Sequence, residues 1–214
     1  LSGFTPEPTR GTGIIGVDLG ITSLATFFFF VKIENPRHYL KYQQRLKVLQ
    51  RRLSKKQKGS KNRNKARIAV AKLHEKIANC RANFMHQLTT RLVRENQAVG
   101  IECLHVKGMV RNRRLSKHIA DAAFGMFRHQ LTYKAKWSQH CVIIAANRYY
   151  ASTQICSNCK ATPVVKLKLS TRNWSCSFCG MFHDRDSNAG RNLEDTARLW
   201  LPMALESNSP LFIA

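Results

Sequence analysis

Four cysteines and three carboxylates carry the chemistry that this sequence offers. Cys156/Cys159 and Cys176/Cys179 are two Cys-x-x-Cys pairs with sixteen residues between them. Each pair presents two thiolates from one tight turn, and four thiolates make a closed tetrahedral zinc site. The competing readings are four ordinary buried cysteines, or disulfides in a secreted protein. Both pairs falling at ribbon spacing argues for zinc. A closed site leaves no position for substrate, so this zinc is expected to be structural. Cys80, Cys103 and Cys141 lie among apolar neighbours and read as core thiols.

The carboxylates are scattered along the chain. Asp18 sits inside the apolar run IIGVDL. A bare buried charge there is expensive, so it either has a cationic partner or caps a turn at the strand end. Glu102 closes the run AVGIE, and Asp184 and Asp186 follow the second cysteine pair, just before SNAGRNL. Hard divalent ions such as Mg²⁺ take oxygen ligands and keep positions for water and phosphate. Two such ions, ~3.5–4 Å apart, activate a water and stabilise the leaving oxygen in phosphodiester cleavage. Asp18, Glu102 and Asp186 can hold that pair. The chain has 12 acids and so offers many triples, and the plainer alternative makes Glu102 a strand end and Asp186 a helix cap.

The elements that must position these groups follow from pattern. Residues 1–13, with Pro6, Pro8, Gly11 and Gly13, read as a linker. Ile14, Ile15 and Val17 form a strand, and Gly20 allows a turn into a second β-rich run. Phe27–Phe30 lacks alternation and reads as a doubly buried strand or an exposed edge. Residues 37–94 carry helical stripes, Leu46/Leu49/Leu53 and Ile77/Cys80/Phe84 continuing to Leu88 and Leu92. The stretch 54–64 interrupts them, predicting an antiparallel helical hairpin. Buried strands are expected at 98–102 and 141–146, with a single helix from Ser116 to Gln139 between them. The zinc ribbon is placed at 154–183, the main domain at 14–153, a short last helix at 184–199 and a peripheral tail at 200–214. Strands alternating with helices predict a mixed α/β sheet.

Charge narrows the partner. There are 36 Lys plus Arg against 12 Asp plus Glu, a net charge of +24. Such an excess calls for a polyanion, nucleic acid before an anionic membrane surface. From Arg37 to Lys76 there are fifteen basic residues and one acid, Glu75. Unopposed like charges repel unless a polyanion screens them, so Arg51, Arg52, Lys55, Lys56, Lys58, Lys61 and Arg63 are candidate phosphate contacts. No stretch reaches the roughly 18–20 uncharged apolar residues of a membrane span. The N-terminal residues lack a secretory layout, so the cysteines are expected in a reducing compartment.

GIIGVDLGITSLATF, IECLHVKGM and CSNC…CSFCGMFHDRDSNAGRNL closely resemble the three split RuvC motifs and the inserted zinc ribbon of the TnpB (OrfB) proteins. These are encoded by bacterial insertion sequences, are often described as transposases, and are related to compact type V CRISPR effectors. The similarity runs from about Gly13 to Leu193, and RRLSKKQKGSKNRNKAR with KLHEKIANCR resembles the family too. It implies an RNase H-like fold, RNA-guided DNA endonuclease activity with a guide RNA and a DNA target, and a bacterial or archaeal cytoplasmic, nucleoid-associated setting. It places the metal-binding acids on Asp18, Glu102 and Asp186, the last preferred over Asp184 for its D-x-N-A pattern. His183 and Asp184 then support the site. The family normally carries a further N-terminal region, so a fragment or a degenerate copy is expected. Lys160 stands where Gly is usual and Cys103 where Asp is usual, and Phe27–Phe30 replaces a polar turn. The expected function is a divalent-metal-dependent nuclease. The alternatives are an idle, zinc-bearing nucleic-acid-binding remnant and a strand-transfer enzyme.

Overall fold

The computed structural model describes residues 11–27, 31–163, 165–168, 170–207 and 211–212. A six-stranded sheet forms its centre, in the order β3-β2-β1-β4-β5-β8. The strands are β1 (Gly13–Leu19), β2 (Ser23–Thr26), β3 (Lys32–Glu34), β4 (Asn96–Ile101), β5 (Val142–Ala145) and β8 (Leu211–Phe212). β1, β4, β5 and β8 run parallel, whereas β2 and β3 are antiparallel additions beside β1. A separate two-stranded ribbon pairs β6 (Asn173–Ser175) with β7 (Phe182–Asp184). The fold is therefore the mixed α/β sheet expected from the sequence.

Side chains alternate across a strand, and both faces of this sheet are covered. Val99, Ile101, Ile143 and Ala145 pack on one face with Leu88, Leu92, Phe127 and Leu131. Those partners come from α2 (Lys61–Glu95) and α5 (Phe124–Ser138). Ala98 and Ile144 face the other way, onto Ala197, Trp200 and Ala204 of α6 (Arg185–Ser207). Burial on both faces is why these strands read as continuous apolar runs. Gly16 of β1 and Gly100 of β4 let α6 lie against the sheet. A Cβ at either would overlap the helix backbone at Gly190 or Leu193.

The helical hairpin is α1 (His38–Ser54) against the N-terminal half of α2. Leu46, Leu73 and Ile77 form its own small core, apart from the main one. Ser60 caps α2 by accepting the Arg63 N–H at 3.1 Å. Asp121 ties the hairpin to the body, accepting from Tyr39 N–H and from Arg81 at 3.1 Å.

The structure differs from sequence expectation in two places. The helix expected over Ser116–Gln139 is two, α4 (Ser116–Ala122) and α5, broken at Ala123 with φ 52°. Asp121 turns to Tyr39 and Arg81 of the hairpin, while Ala122 and Phe124 are buried in the main core on either side of the break. The tail is not peripheral: α6 continues to Ser207 with Ala204 buried, and β8 pairs in parallel with β5. α3 (Val106–Val110) is a short helix after β4. Of the Phe27–Phe30 run, Phe27 is buried past the end of β2, and residues 28–30 lie outside the described residues, as do 1–10 of the expected linker.

Candidate metal centres and nucleic-acid interface

The four cysteines are brought together. Their sulfurs all lie within 4.8 Å of one another, with Cys156–Cys179 at 3.7 Å and Cys159–Cys176 at 3.6 Å. A tetrahedron with bonds of ~2.3 Å has edges of about 3.8 Å, so the donor set fits zinc, and these separations are far beyond a disulfide bond. Both pairs form the same turn. Lys160 N–H bonds Cys156 O and Gly180 N–H bonds Cys176 O, each at 2.9 Å, and both residues after the pairs are left-handed, Lys160 at φ 62° and Gly180 at φ 71°. Lys160 thus adopts the conformation that glycine adopts without strain. Its Nζ in return reaches Asn192 Oδ1 at 3.2 Å and Asp195 on α6. Backbone N–H groups around Cys176 and Cys179 favour their thiolates, holding Cys179 down to about 6, chiefly through Met181. The buried His183 ring packs on Trp174, with Nε2 3.1 Å from Cys156 Sγ.

The carboxylates assemble by strand register. Val17 of β1 pairs with Ile101 of β4, so Asp18 and Glu102, one residue on, leave adjacent parallel strands at the same level. Asp18 is 9% exposed. Burial pushes its carboxyl well up, reinforced by the negative charges of Glu102 and Asp186. Burial likewise raises Glu102 to about 7, although its Oε1 accepts the Leu19 N–H at 3.3 Å. Two raised carboxyls, Asp18 buried and Glu102 half-buried, beside a third acid are a donor set suited to a divalent cation. The three are less tightly gathered than the thiols: among the described residues, only the cysteines form a group of three or more ligand atoms within 4.8 Å. Asp186 is held aside by Arg172 at 3.5 Å and Arg185 at 3.6 Å.

Asp184 does different work. Its Oδ1 accepts the Ser187 N–H at 2.9 Å, capping α6, and its Oδ2 pairs with Lys32 at 2.9 Å. Burial would raise its pKa, but those two partners outweigh it and hold the carboxyl below its usual range.

Sequence reading missed the clamp that joins α6 to the chain entering the ribbon. Asn188 and Asn192 both donate to the carbonyls of Ser152 and Ile155, at 2.7–3.3 Å. Asn188 Oδ1 also accepts the Ser157 N–H at 2.8 Å. The signal was two asparagines four apart on one helix face, directly after Asp186. On the hairpin, Arg51, Arg52, Lys55, Lys56, Lys58 and Lys61 are exposed. Arg63 is turned inward, donating to Leu53 O and Lys56 O, and so closes the loop between the helices.

Fold and site together define a class: an α/β sheet with acids at adjacent parallel strand ends, an inserted four-cysteine ribbon and a basic helical hairpin. The family model described as "Probable transposase" (OrfB_IS605) matches residues 4–113, and a model for the "Cas12f1-like, TNB domain" matches residues 124–193. The chain belongs to the OrfB (TnpB) family. It is 44% identical over 190 residues to a "Putative RNA-guided DNA endonuclease" of Streptomyces pristinaespiralis, covering 89% of this chain and 46% of that one. It is 31% identical over 195 residues to the "Putative RNA-guided DNA endonuclease InsQ" of Escherichia coli K12, covering 84% and 48%. The chain therefore spans about half the length of the relatives it matches. The fold is similar to a chain in "Cryo-EM structure of the Cas12f1-sgRNA-target DNA complex", with TM-score 0.58, 17% identity, and coverage of 88% of this chain and 40% of that one. Among the described residues, no helix is long and apolar enough to cross a membrane.

Proposed function

We propose that this chain is the nuclease portion of a transposon-encoded RNA-guided DNA endonuclease, with an RNase H-like (RuvC) sheet, a structural zinc ribbon and a magnesium-dependent acid site. One observation carries the reading: the Val17–Ile101 register sets Asp18 and Glu102 side by side at strand ends, in a chain of this family. Magnesium at these carboxylates, two ions in the full mechanism, would supply charge neutralisation and water activation. Asp18 and Glu102 anchor it from the rigid sheet. The Leu19 N–H orients Glu102, and α6 brings Asp186 over the same edge. The zinc-bearing ribbon sets the start of α6 through Asn188 and Asn192, so its role is to position Asp186 rather than to react. The exposed basic residues of α1 and the loop after it take phosphates of the guide RNA or the DNA target.

A second reading, a nucleic-acid-binding remnant without catalysis, is favoured by two ion pairs: Arg172 and Arg185 both engage Asp186. Magnesium-dependent nicking of single-stranded DNA separates the two. Cutting supports the nuclease, and binding without cutting, even with a guide and the relatives' N-terminal region supplied, supports the remnant. Joined products would instead indicate strand transfer. The hairpin is tested separately. Neutralising Arg51, Arg52, Lys55 and Lys56 together should lower the log–log salt slope of DNA binding by up to about 4 × 0.7–0.9 if each meets a phosphate. An unchanged slope removes the hairpin from the interface.

A further inference from the structure

Three parallel strands end at one edge of the sheet, and β1 and β4 deliver the acids there. β5 ends at Ala145, paired with Ile101. The chain then turns at Asn147, whose Oδ1 accepts the Tyr149 N–H at 2.7 Å and whose backbone carbonyl accepts the Tyr150 N–H. This turn sends Arg148 outward, to the same edge as Glu102. The guanidinium is held on two sides, 3.3 Å from His105 Nδ1 and 5.8 Å from the centre of the Tyr149 ring. Arg148, His105 and Arg128 rim a cleft of about 420 Å³ whose lining includes Phe124 and whose single acid is Glu102.

We propose that this cleft seats the nucleotide of the DNA strand next to the bond being cut, with Arg148 gripping its phosphate. The inference rests on the nuclease reading of Glu102. A guanidinium presents a planar fork that matches phosphate oxygens, and holding it in place beforehand reduces the ordering cost of binding. The volume suits one nucleotide rather than a duplex. The apolar part of the lining accepts a deoxyribose or base face, while Arg148, Arg128 and Lys107 answer the strand's charge. Arg148 thereby fixes where the strand crosses the acids.

The test is binding of a labelled hexathymidylate without magnesium, so that it does not depend on cutting. Arg148→Ala should weaken binding about tenfold and lower the log–log salt slope by about 0.7, the value of one phosphate on a single strand. Arg148→Lys should keep the slope, and an unchanged melting temperature shows that the exposed site still folds. A series of hexamers, each with one phosphate replaced by a neutral methylphosphonate, locates the contact. At one position the wild type should lose as much as Arg148→Ala does, and the variant should lose nothing further. Equal losses along the whole series, or wild-type affinity and slope in Arg148→Ala, overturn the subsite. Tighter, Arg148-dependent binding of hexauridylate would assign the cleft to RNA and also overturn it. If Arg148 behaves as expected but magnesium-dependent cutting is absent, the nuclease reading falls, and with it the cutting role of the subsite, leaving a cleft that binds a strand through Arg148. Cutting and binding that are indifferent to Arg148 give the reverse.

Discussion

The ribbon and the acid edge are two candidate metal sites built by different means. The ribbon's donors come in pairs two residues apart, and each turn presents its sulfurs through local hydrogen bonds, Lys160 N–H to Cys156 O and Gly180 N–H to Cys176 O. Four sulfurs already at tetrahedral spacing need little movement. The acids come from β1, the end of β4 and the start of α6, and only strand register and the packing of α6 on Gly16 and Gly100 bring them near. They remain looser, with buried Asp18 and half-buried Glu102 repelling, and Asp186 tied to two arginines. A site made of local turns is formed by geometry. A site made of distant carboxylates stores electrostatic strain that a cation relieves.

The sharpest break is at the ribbon. The purified protein is expected to carry about one zinc per chain, and binding to such a site is worth on the order of 10 kcal/mol, which is also folding energy. Cys176→Ser should release the metal and loosen residues 154–183. A folded, zinc-free wild type would undo the contrast at its stronger end.

At the acid edge the large effect falls on rate rather than on folding. In a guide-loaded protein that cuts, Asp18→Asn, Glu102→Gln and Asp186→Asn should each cost at least about 100-fold, while nucleic-acid binding persists. Asp184→Asn is the control. Its cap on Ser187 survives in an asparagine, so cutting should remain close to wild type. Loss of cutting in Asp184→Asn with Asp186→Asn active would exchange the two roles.

The stored strain has a pH signature. Glu102 is raised from its ordinary 4.5 to about 7 in the fold, so between those values the folded chain binds more protons than the unfolded one. Stability therefore falls as pH rises through that window, and the penalty is absent below it and complete above it. In full it amounts to about 3 kcal/mol, since each pKa unit is worth ~1.4 kcal/mol. Asp18 is shifted in the same direction and adds to the fall. Without magnesium, Glu102→Gln should raise the melting temperature relative to wild type at pH 8 and much less at pH 5.5. An equal difference at both pH values would show that the edge holds no such strain.

The smallest effect concerns the one irregular knuckle. Lys160→Gly relieves a left-handed lysine, worth roughly 1–2 kcal/mol, but gives up the half-exposed ion pair to Asp195, worth roughly 0.2–1 kcal/mol. The variant should be slightly more stable. A clear loss in thermal melting would make the tether to α6 the stronger term.

The residue spacing alone determined the four-cysteine set, the basic hairpin and the apolar strands, because each is encoded within a few turns of chain. Cys-x-x-Cys closes on itself, Leu46/Leu49/Leu53 and Ile77/Cys80/Phe84 repeat at helical period, and β4 from Ala98 onward and β5 are apolar because both faces are covered. Tertiary structure alone decided the rest. The break at Ala123 lies between Asp121, which faces the hairpin, and Phe124, which enters the main core, and no local propensity records those contacts. The tail joins the core because α6 extends past Trp200 and carries β8 to the open edge of β5. Asp184 and Asp186, two residues apart and equally acidic in sequence, part ways because one meets the first turn of α6 and the other the edge where Asp18 ends. Arg148 stood out by nothing in its neighbourhood; it matters because β5 lies parallel to β4 and ends level with Glu102. Register is a relation between distant segments, so a single stretch of sequence does not contain it.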